Sequence, residues 1–214
     1  MGRAMKKRLS LTCLVVAIFA ASASAHRLDE YLQATRIGIE RGRVELEIDL
    51  TPGAAVAPGI IQTIDRDQDG TLSSEEKTEY AATVIRLLSL AMDGDSLTLA
   101  LSDSSFPAID EMQRGEGVIR LRARALAENV SEGRHRIHFK NNHRAEIAAY
   151  LVNAFMPTDE RIHITAQLRD TIQREVAVDY FVSKNPSNTR LASALPLIFG
   201  LAITATILMV LRRW

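Results

Sequence analysis

The sequence predicts a mainly β fold, an antiparallel β-sandwich that carries an inserted helix-loop-helix unit of the EF-hand type. Short runs of alternating apolar and polar residues predict strands with one buried face, and Gly, Asn and Pro residues between the runs predict turns. One acidic loop interrupts this pattern and is followed by apolar residues at helical spacing. Together these observations predict a sandwich with a helical unit inserted after its second strand.

The first two predicted strands form a hairpin. Residues 32–39 and 44–50 are separated by the turn Glu40-Arg41-Gly42-Arg43, and the second run alternates apolar with acidic residues. After the inserted unit, a turn at residues 93–95 leads into a predicted strand at 97–101, and a longer link follows around Phe106-Pro107. The remaining predicted strands are 118–126, 137–140, 146–155, 162–168 and 175–182.

The acidic loop, residues 65–76 with the sequence DRDQDGTLSSEE, places an oxygen ligand at each position that an EF-hand Ca²⁺ loop requires. Gly70 stands at the sixth position, where the chain must turn sharply. Ca²⁺ takes roughly six to eight oxygen ligands, which a tightly wound acidic loop can supply. The predicted ligands are Asp65, Asp67, Asp69, the backbone carbonyl of Thr71, Ser73 and Glu76. The alternative interpretation is an acidic, solvated turn before a helix.

Both flanks of the loop favour the Ca²⁺ interpretation. Ser73 and Glu76 form an S-x-x-E capping box, which predicts a helix from about Ser74. The apolar residues of this exiting helix recur at helical spacing at Tyr80, Val84, Leu87, Leu88 and Ala91.

The predicted entering helix is shorter than the exiting one. It has an apolar face of three isoleucines, but Pro58 and Gly59 limit it to about two turns. The isoleucines are Ile60, Ile61 and Ile64. The whole inserted unit is predicted to span residues 54–92.

The two ends of the sequence predict on which side of the membrane the domain lies. Residues 1–25 have the form of a secretory signal: a basic start, a short apolar run and the small-residue cleavage site Ala23-Ser24-Ala25. Cleavage there would make His26 the first residue of the mature chain. A membrane anchor is the alternative for this segment, and the shortness of the apolar run argues against it.

A second apolar run, Leu191 to Leu211, is uncharged and long enough to span a bilayer core of roughly 30 Å. Arg212 and Arg213 after it predict a cytoplasmic tail at 212–214 by the positive-inside rule. The polar residues 185–190 are predicted to form a stalk before this run. We therefore expect residues 26–184 to form an extracytoplasmic domain that a single membrane-spanning segment anchors. A buried core helix and a processed sorting signal are the alternatives for this run.

Charge and cysteine content narrow the functional classes. The chain has 26 basic and 26 acidic residues, but four basic residues lie in the predicted signal and two follow the apolar run. The excess of acidic residues between them argues against nucleic-acid binding, which needs clustered Lys and Arg. The single cysteine, Cys13, lies within the predicted signal, so we expect a mature domain with neither disulfides nor a cysteine nucleophile.

Three segments carry a resemblance to a known family: AHRLDEYLQATRI at 25–37, DLTPG at 49–53 and HRAEIAAYLVNAFMP at 143–157. They resemble the extracytoplasmic N-terminal region of membrane proteins of the hydrogenase/urease accessory, nickel-permease-like group. The resemblance implies a place near a metal-handling or accessory membrane system. Those proteins continue into a multi-helix permease, whereas this sequence has one predicted spanning segment.

His26 is the residue that could serve such a role, because a processed chain would offer its α-amine and imidazole together to Cu²⁺ or Ni²⁺. The remaining histidines predict no shared site; His135 and His138, three residues apart, should face opposite sides of a strand. The alternative is an exposed terminal histidine without a metal.

No common catalytic motif is present in the sequence, so we expect a protein that is not an enzyme. The run Arg134 to Phe139 alternates charged and apolar residues, which indicates a solvated strand face rather than an anion clamp. The sequence therefore predicts a membrane-anchored, Ca²⁺-binding structural or interaction module. The competing hypothesis is an accessory protein for Cu or Ni handling, linked to a permease or to metallo-enzyme maturation.

Overall fold

The computed structural model describes residues 29–128 and 130–185, which form two five-stranded sheets and three helices. The fold is mainly β, as predicted. In the first sheet the strands lie in the order β5 (Ala100–Ser105), β6 (Ile119–Leu126), β2 (Arg43–Pro52), β1 (Tyr31–Glu40) and β8 (Ala148–Ala154). In the second they lie in the order β4 (Asp95–Ser96), β3 (Leu88–Met92), β7 (Gly133–Asn141), β10 (Glu175–Val182) and β9 (Ile162–Arg169). Side chains from both sheets and all three helices form one hydrophobic core.

The predicted hairpin begins the first sheet. Strands β1 (Tyr31–Glu40) and β2 (Arg43–Pro52) pair antiparallel along their whole length, and every second residue of each is buried. The other strands of this sheet are β5 (Ala100–Ser105), β6 (Ile119–Leu126) and β8 (Ala148–Ala154). On its outer face, each arginine of β6 lies opposite an acidic residue of β2: Arg120 opposite Asp49, Arg122 opposite Glu47 and Arg124 opposite Glu45.

The second sheet contains two of the later predicted strands almost as expected, β9 (Ile162–Arg169) and β10 (Glu175–Val182). Its other strands are β3 (Leu88–Met92), β4 (Asp95–Ser96) and β7 (Gly133–Asn141). All pairings in this sheet are antiparallel.

The expectation of a wholly antiparallel sandwich is wrong at one ladder, because β8 pairs parallel with β1. The cause is the path of the chain. Strand β7 in the second sheet ends at Asn141, whose side chain donates a hydrogen bond to Gln33 near the start of β1 (2.9 Å). The chain turns there and enters β8 from the end at which β1 also begins.

The inserted unit follows β2, as predicted, with helix α1 (Ala57–Ile64), the acidic loop and helix α2 (Ser74–Arg86). Helix α1 has about two turns and buries its three isoleucines, as the sequence indicated. The expectation that α2 continues to Ala91 is wrong. Residues 88–92 form β3 on β7 instead. Leu88 and Leu90 are two residues apart and both buried, which a strand allows and a helix does not.

Two further expectations between residues 95 and 118 need correction. The predicted strand at 97–101 is replaced by the two-residue β4 and by β5, while its leucines pack partly buried against the core. The link after Phe106 contains a short helix, α3 (Ile109–Gln113), that the sequence analysis missed. Met112 of α3 is fully buried, so this helix closes one end of the core.

The inserted unit and the C-terminal exit of the domain lie at opposite ends of the sheets. β2 ends and β3 begins at the insertion, where Asn141 and Gln33 also meet. β10 runs away from that end, and Val182 pairs with Gly133 and Ile162 at the other. With roughly 3.3 Å per residue, the eight residues of β10 separate the two ends by about 25 Å.

The predicted signal at 1–25, His26, the stalk beyond Asn185, the membrane segment at 191–211 and the tail at 212–214 lie outside the described residues. Among the helices that the structure describes, none has the length and apolar character needed to cross a membrane.

Candidate metal site

The acidic loop is fixed at both ends by helix termini. Asp65 follows the last residue of α1, its backbone N–H donates to the carbonyl of Ile61 (2.8 Å), and its side chain is 6% exposed. At the other end, Ser73 caps α2 in the predicted capping box with Glu76. The carboxylates at loop positions 1 and 12 are therefore set by regular structure on either side.

Asp65 also shapes the turn of the loop. One carboxylate oxygen accepts the backbone N–H of Asp69 (3.2 Å) and the other accepts that of Gly70 (3.1 Å). Gly70 has a φ of 80°, a left-handed conformation that glycine adopts at little cost. The chain thus folds back over Asp65 at the position where the sequence predicted a sharp turn.

The side chains of the other two aspartates at ligand positions, Asp67 and Asp69, point in different directions. Asp67 Oδ1 accepts the backbone N–H of Asp69 (3.2 Å), whereas Asp69 Oδ1 accepts both the backbone N–H and the hydroxyl of Thr71, each at 2.7 Å. The Asp69 carboxylate is therefore turned toward the next residues of the loop. To reach an ion at the cluster, the Asp69 carboxylate would have to turn toward it or offer its other oxygen, Oδ2.

Glu76 joins the two ends of the loop. Its Oε1 accepts the backbone N–H of Arg66 (2.7 Å), and its Oε2 accepts the backbone N–H and the hydroxyl of Ser73, each at 2.9 Å. These hydrogen bonds, those from Ser73 and Arg66 first, hold the pKa of Glu76 below its usual range. The group is thus ionised at neutral pH, as a metal ligand must be.

Three of the four carboxylates at predicted ligand positions converge. Oxygens of Asp65, Asp67 and Glu76 lie within 4.8 Å of one another, a group that could hold a metal ion. Asp69 is not in this group, and the Ser73 hydroxyl is bonded to Glu76. The structure therefore brings together loop positions 1, 3 and 12. The roles of Asp69, Thr71 and Ser73 as Ca²⁺ ligands stay predictions.

A basic side chain within the loop points to α2. Arg66 forms an ion pair with Glu79, and both side chains are mostly exposed. This pairing directs the guanidinium to the flanking helix rather than to the carboxylate cluster. Glu79, whose side chain is 60% exposed, therefore balances the charge of Arg66, the one cation that the loop sequence contains.

Helix α3 lies beside the loop. A cleft is lined on one side by residues 70–72 of the loop and on the other by Pro107, Ile109 and neighbouring residues of α3. The segment around α3 is tightly packed, since a Cβ on Gly117 would come within 2.8 Å of the Met112 backbone nitrogen. The inserted unit thus packs against a second segment of its own chain.

A buried polar network, which the sequence did not indicate, connects the unit to the sheets. The hydroxyl groups of Tyr80 on α2 and Tyr31 on β1 are 2.7 Å apart and buried. The ring of His143 packs edge-on against both tyrosines. Burial, with a smaller effect of the neighbouring Arg144, lowers the pKa of His143 to about 4. Sequence spacing could not reveal these contacts because they join residues from three distant segments.

The same network continues into the sheets through amide side chains. Gln33 donates to the backbone carbonyl of His143 (3.0 Å) and accepts from Asn141. Asn141 in turn accepts the backbone N–H of His143 (2.9 Å). The turn after β7 is thereby fixed to the start of β1, close to the point where α2 reaches the core.

A second cavity, of about 740 Å³, lies at the second sheet. Arg136 in its wall is paired with Asp179. His135 donates its Nε2–H to the Ser131 carbonyl (2.9 Å), and its Nδ1 is hydrogen-bonded to the Asp93 carboxylate (2.7 Å). Outside the cavity, His138 pairs with Glu175 (2.6 Å). The prediction that His135 and His138 face opposite sides of a strand is confirmed, as is the solvated strand face.

Comparison with known proteins did not assign the chain to a family. No protein-family model matches the chain, and a search of curated proteins found no match.

Proposed function

We propose that the loop from Asp65 to Glu76 binds Ca²⁺ and that the protein is a calcium-binding module of the cell envelope. The observation that carries this proposal is the convergence of Asp65, Asp67 and Glu76 within 4.8 Å. These are loop positions 1, 3 and 12 of a sequence in which every ligand position carries oxygen.

The chemistry of the cluster favours Ca²⁺ over other biological cations. Its side-chain donors are all oxygen, which suits hard cations rather than Cu²⁺ or Zn²⁺. Mg²⁺ requires a near-ideal octahedron and gives up its water reluctantly, whereas Ca²⁺ accepts more ligands in a flexible geometry. A loop with four carboxylates at ligand positions, one of them in the first turn of a helix, meets the requirement of Ca²⁺ better.

Binding requires a local rearrangement at Glu76. A carboxylate has about four lone-pair sites, and three hydrogen bonds from Arg66 and Ser73 already occupy this one. Two-oxygen binding of Ca²⁺ therefore displaces the Ser73 hydroxyl from Oε2. The backbone bonds from Arg66 and Ser73 can remain, so the cap of α2 need not be lost.

Ca²⁺ binding should stabilise the whole domain, not only the loop. α2 buries Tyr80, Ala81, Val84 and Ile85 in the single core. Anything that favours the folded loop also favours the position of α2, and hence the core, over the unfolded chain. The role of the ion is then to stabilise the end of the domain that carries the inserted unit.

The same proposal places the domain outside the cytoplasm on a single membrane segment. It is supported by the secretory form of residues 1–25 and by the apolar run at 191–211. In this arrangement the Ca²⁺ loop lies at one end of the β-sandwich domain and the C-terminal exit lies at the other. The length of β10 puts about 25 Å between these two ends. The loop end is thus free to contact a protein partner or to serve as a structural clamp.

Isothermal titration of the domain with CaCl₂ tests the Ca²⁺ proposal. A lone loop should bind with a dissociation constant of about 10⁻⁴–10⁻³ M, as extracellular modules do. Glu76→Gln should weaken binding by at least tenfold, while Glu75→Gln should leave it nearly unchanged. Glu75 is the matched control because it lies next to Glu76 in the same helical turn but is not in the cluster. Absence of heat for the wild type would contradict the proposal.

A further inference from the structure

Large apolar side chains are exposed at the end of the domain where the chain leaves β10. Met156 is 84% exposed, Leu126 is 65% exposed and Phe155 is 42% exposed. Single exposed apolar residues are common on protein surfaces, but these three come from two separate parts of the chain that meet at the same end: Leu126 ends β6, and Phe155 and Met156 follow β8. Their position therefore needs a physical reason.

Strand register fixes the shared position. Leu126 pairs with Arg43 at the hairpin turn of the first sheet, and Ala154, just before Phe155, pairs with Ile37 on the same side. The two sheets meet there, because a single cleft is lined by Glu40 to Gly42 from the first sheet and by Ile162 and Val182 from the second.

The C-terminal exit lies at this same end. Ser183 donates its backbone N–H to the carbonyl of Arg161 (2.8 Å), so the chain is held beside the start of β9 until that point. Only residues 186–190 separate Asn185 from the uncharged run at 191–211. Six steps of even a fully extended chain cover at most about 20–22 Å. If the run crosses a bilayer, this end of the domain is held close to the lipid surface.

We propose that this end of the domain rests on the membrane, with Met156, Phe155 and Leu126 in contact with the lipid interface. The inference rests on the membrane anchoring given under the proposed function. The charges beside Phe155 and Met156 have both signs: the Arg36 guanidinium lies 6.0 Å from the centre of the Phe155 ring, and Glu40, Glu45 and Glu47 line the same cleft as the two apolar side chains. The contact therefore depends on apolar side chains and not on anionic lipid. It fixes the orientation of the domain, with the Ca²⁺ loop directed away from the bilayer.

The test uses the mature chain of the proposed function, residues 26–214, whose sequence contains no cysteine, reconstituted into phosphatidylcholine vesicles. An environment-sensitive fluorophore is attached at Met156→Cys and, in a second preparation, at Ile172→Cys. Ile172 is the matched control because it is an exposed apolar residue, 58% exposed, in the β9–β10 turn at the opposite end. Vesicle flotation measures anchoring, and quenching by lipids that carry a spin label near the headgroup measures contact with the interface.

We expect the protein to float with the vesicles, and lipid quenching to be at least threefold stronger at position 156 than at 172. Flotation with equal, weak quenching at both positions would overturn the lipid contact and leave anchoring intact. A blue-shifted emission at position 156 without lipid quenching would mean that protein covers this end, which also overturns it. Failure to float would overturn both the anchoring and the contact. A third variant, Leu126→Cys, repeats the measurement should the label at 156 disturb folding.

Discussion

At the scale of single residues, Glu76 has two separable roles. As a carboxylate it belongs to the converging cluster, and as the third residue of α2 it completes the capping box with Ser73. Glutamine retains an acceptor oxygen for the cap but carries no charge for Ca²⁺. Alanine loses both. The two substitutions therefore distinguish the structural role of this side chain from its proposed role as a ligand.

Without Ca²⁺, Glu76→Gln should leave the free energy of unfolding close to that of the wild type. Glu76→Ala should lower it measurably further, because the backbone N–H of Ser73 then loses its acceptor. The measurement is urea unfolding in the presence of a chelator. Equal losses in the two variants would show that the charge, and not the hydrogen bond, stabilises the helix terminus.

His143 should make the stability of the domain depend on pH. Burial, and secondarily Arg144, lowers the pKa of His143 from 6.5 to about 4 in the folded state. The unfolded chain therefore binds more protons between those values, so stability is fully present above about pH 6.5 and is lost as pH falls toward 4. The loss should reach about 3 kcal/mol. Urea unfolding between pH 4 and 7 measures it.

The matched variant for this pH dependence is His143→Gln, which removes the titrating ring. Its stability should change less between pH 6.5 and 4 than that of the wild type. His135 contributes with the opposite sign: burial lowers its pKa, but hydrogen bonds to Asp93 and the Ser131 carbonyl raise it overall. An unchanged pH profile in His143→Gln would contradict the assignment to His143.

The Tyr31–Tyr80 contact should couple α2 to the first sheet. Tyr80→Phe leaves the buried hydroxyl of Tyr31 without its partner and should cost about 1–3 kcal/mol. Removal of both hydroxyls, in Tyr31→Phe with Tyr80→Phe, should cost less than the two single changes added together. Thermal unfolding of the four proteins gives this comparison. Strict additivity would mean that the two hydroxyls do not interact.

At the scale of elements, the features that depend on residues close in sequence were predicted better than those that depend on contacts between distant segments. The loop, both helix starts and the β1–β2 hairpin follow from residues that are close in sequence: Gly70 for the turn, Ser73 with Glu76 for the cap, Pro58 for the short α1. In contrast, Leu88 fits a helical stripe with Val84 and Ala91 and also the strand face that it shares with Leu90, and only pairing with β7 decides between them.

The parallel ladder and the convergence of the site could not be derived in the same way. The β1–β8 pairing depends on where β7 ends in the other sheet. At the site, the sequence predicted six ligands without distinguishing among them. In the folded loop, the carboxylates of Asp65, Asp67 and Glu76 converge, whereas that of Asp69 is hydrogen-bonded to Thr71. Side-chain direction within a loop depends on its own hydrogen bonds, which residue identity does not specify.

Helix α3 provides a prediction at this scale. Gly117→Ala should destabilise the domain by more than 1 kcal/mol, because the new Cβ would lie 2.8 Å from the backbone of Met112, which cannot move freely. Gly59→Ala is the matched control. It lies in α1 with nothing within 4 Å of a Cβ and should gain about 0.5–1 kcal/mol. Thermal unfolding should thus show changes of opposite sign.

At the scale of the whole molecule, the domain has two distinct ends. The inserted unit and α3 lie at one end, and the exit of β10 with the exposed Met156 lies at the other. The single core that joins them includes residues of both sheets and of α1, α2 and α3. Ca²⁺ at one end should therefore raise the stability of the domain as a unit, and any partner at the loop end would contact a surface directed away from the anchor.

The most direct test of the central claim is the thermal unfolding of the domain, residues 26–184, with and without about 5 mM Ca²⁺. For a dissociation constant of about 10⁻⁴–10⁻³ M, linkage predicts an added stability of about 1–2.3 kcal/mol, which corresponds to a rise of several degrees in Tm. Glu76→Gln should show almost none of this rise, whereas Glu75→Gln should show all of it. Identical curves for the wild type with and without Ca²⁺ would mean that residues 65–76 form only an acidic turn, and would contradict the claim.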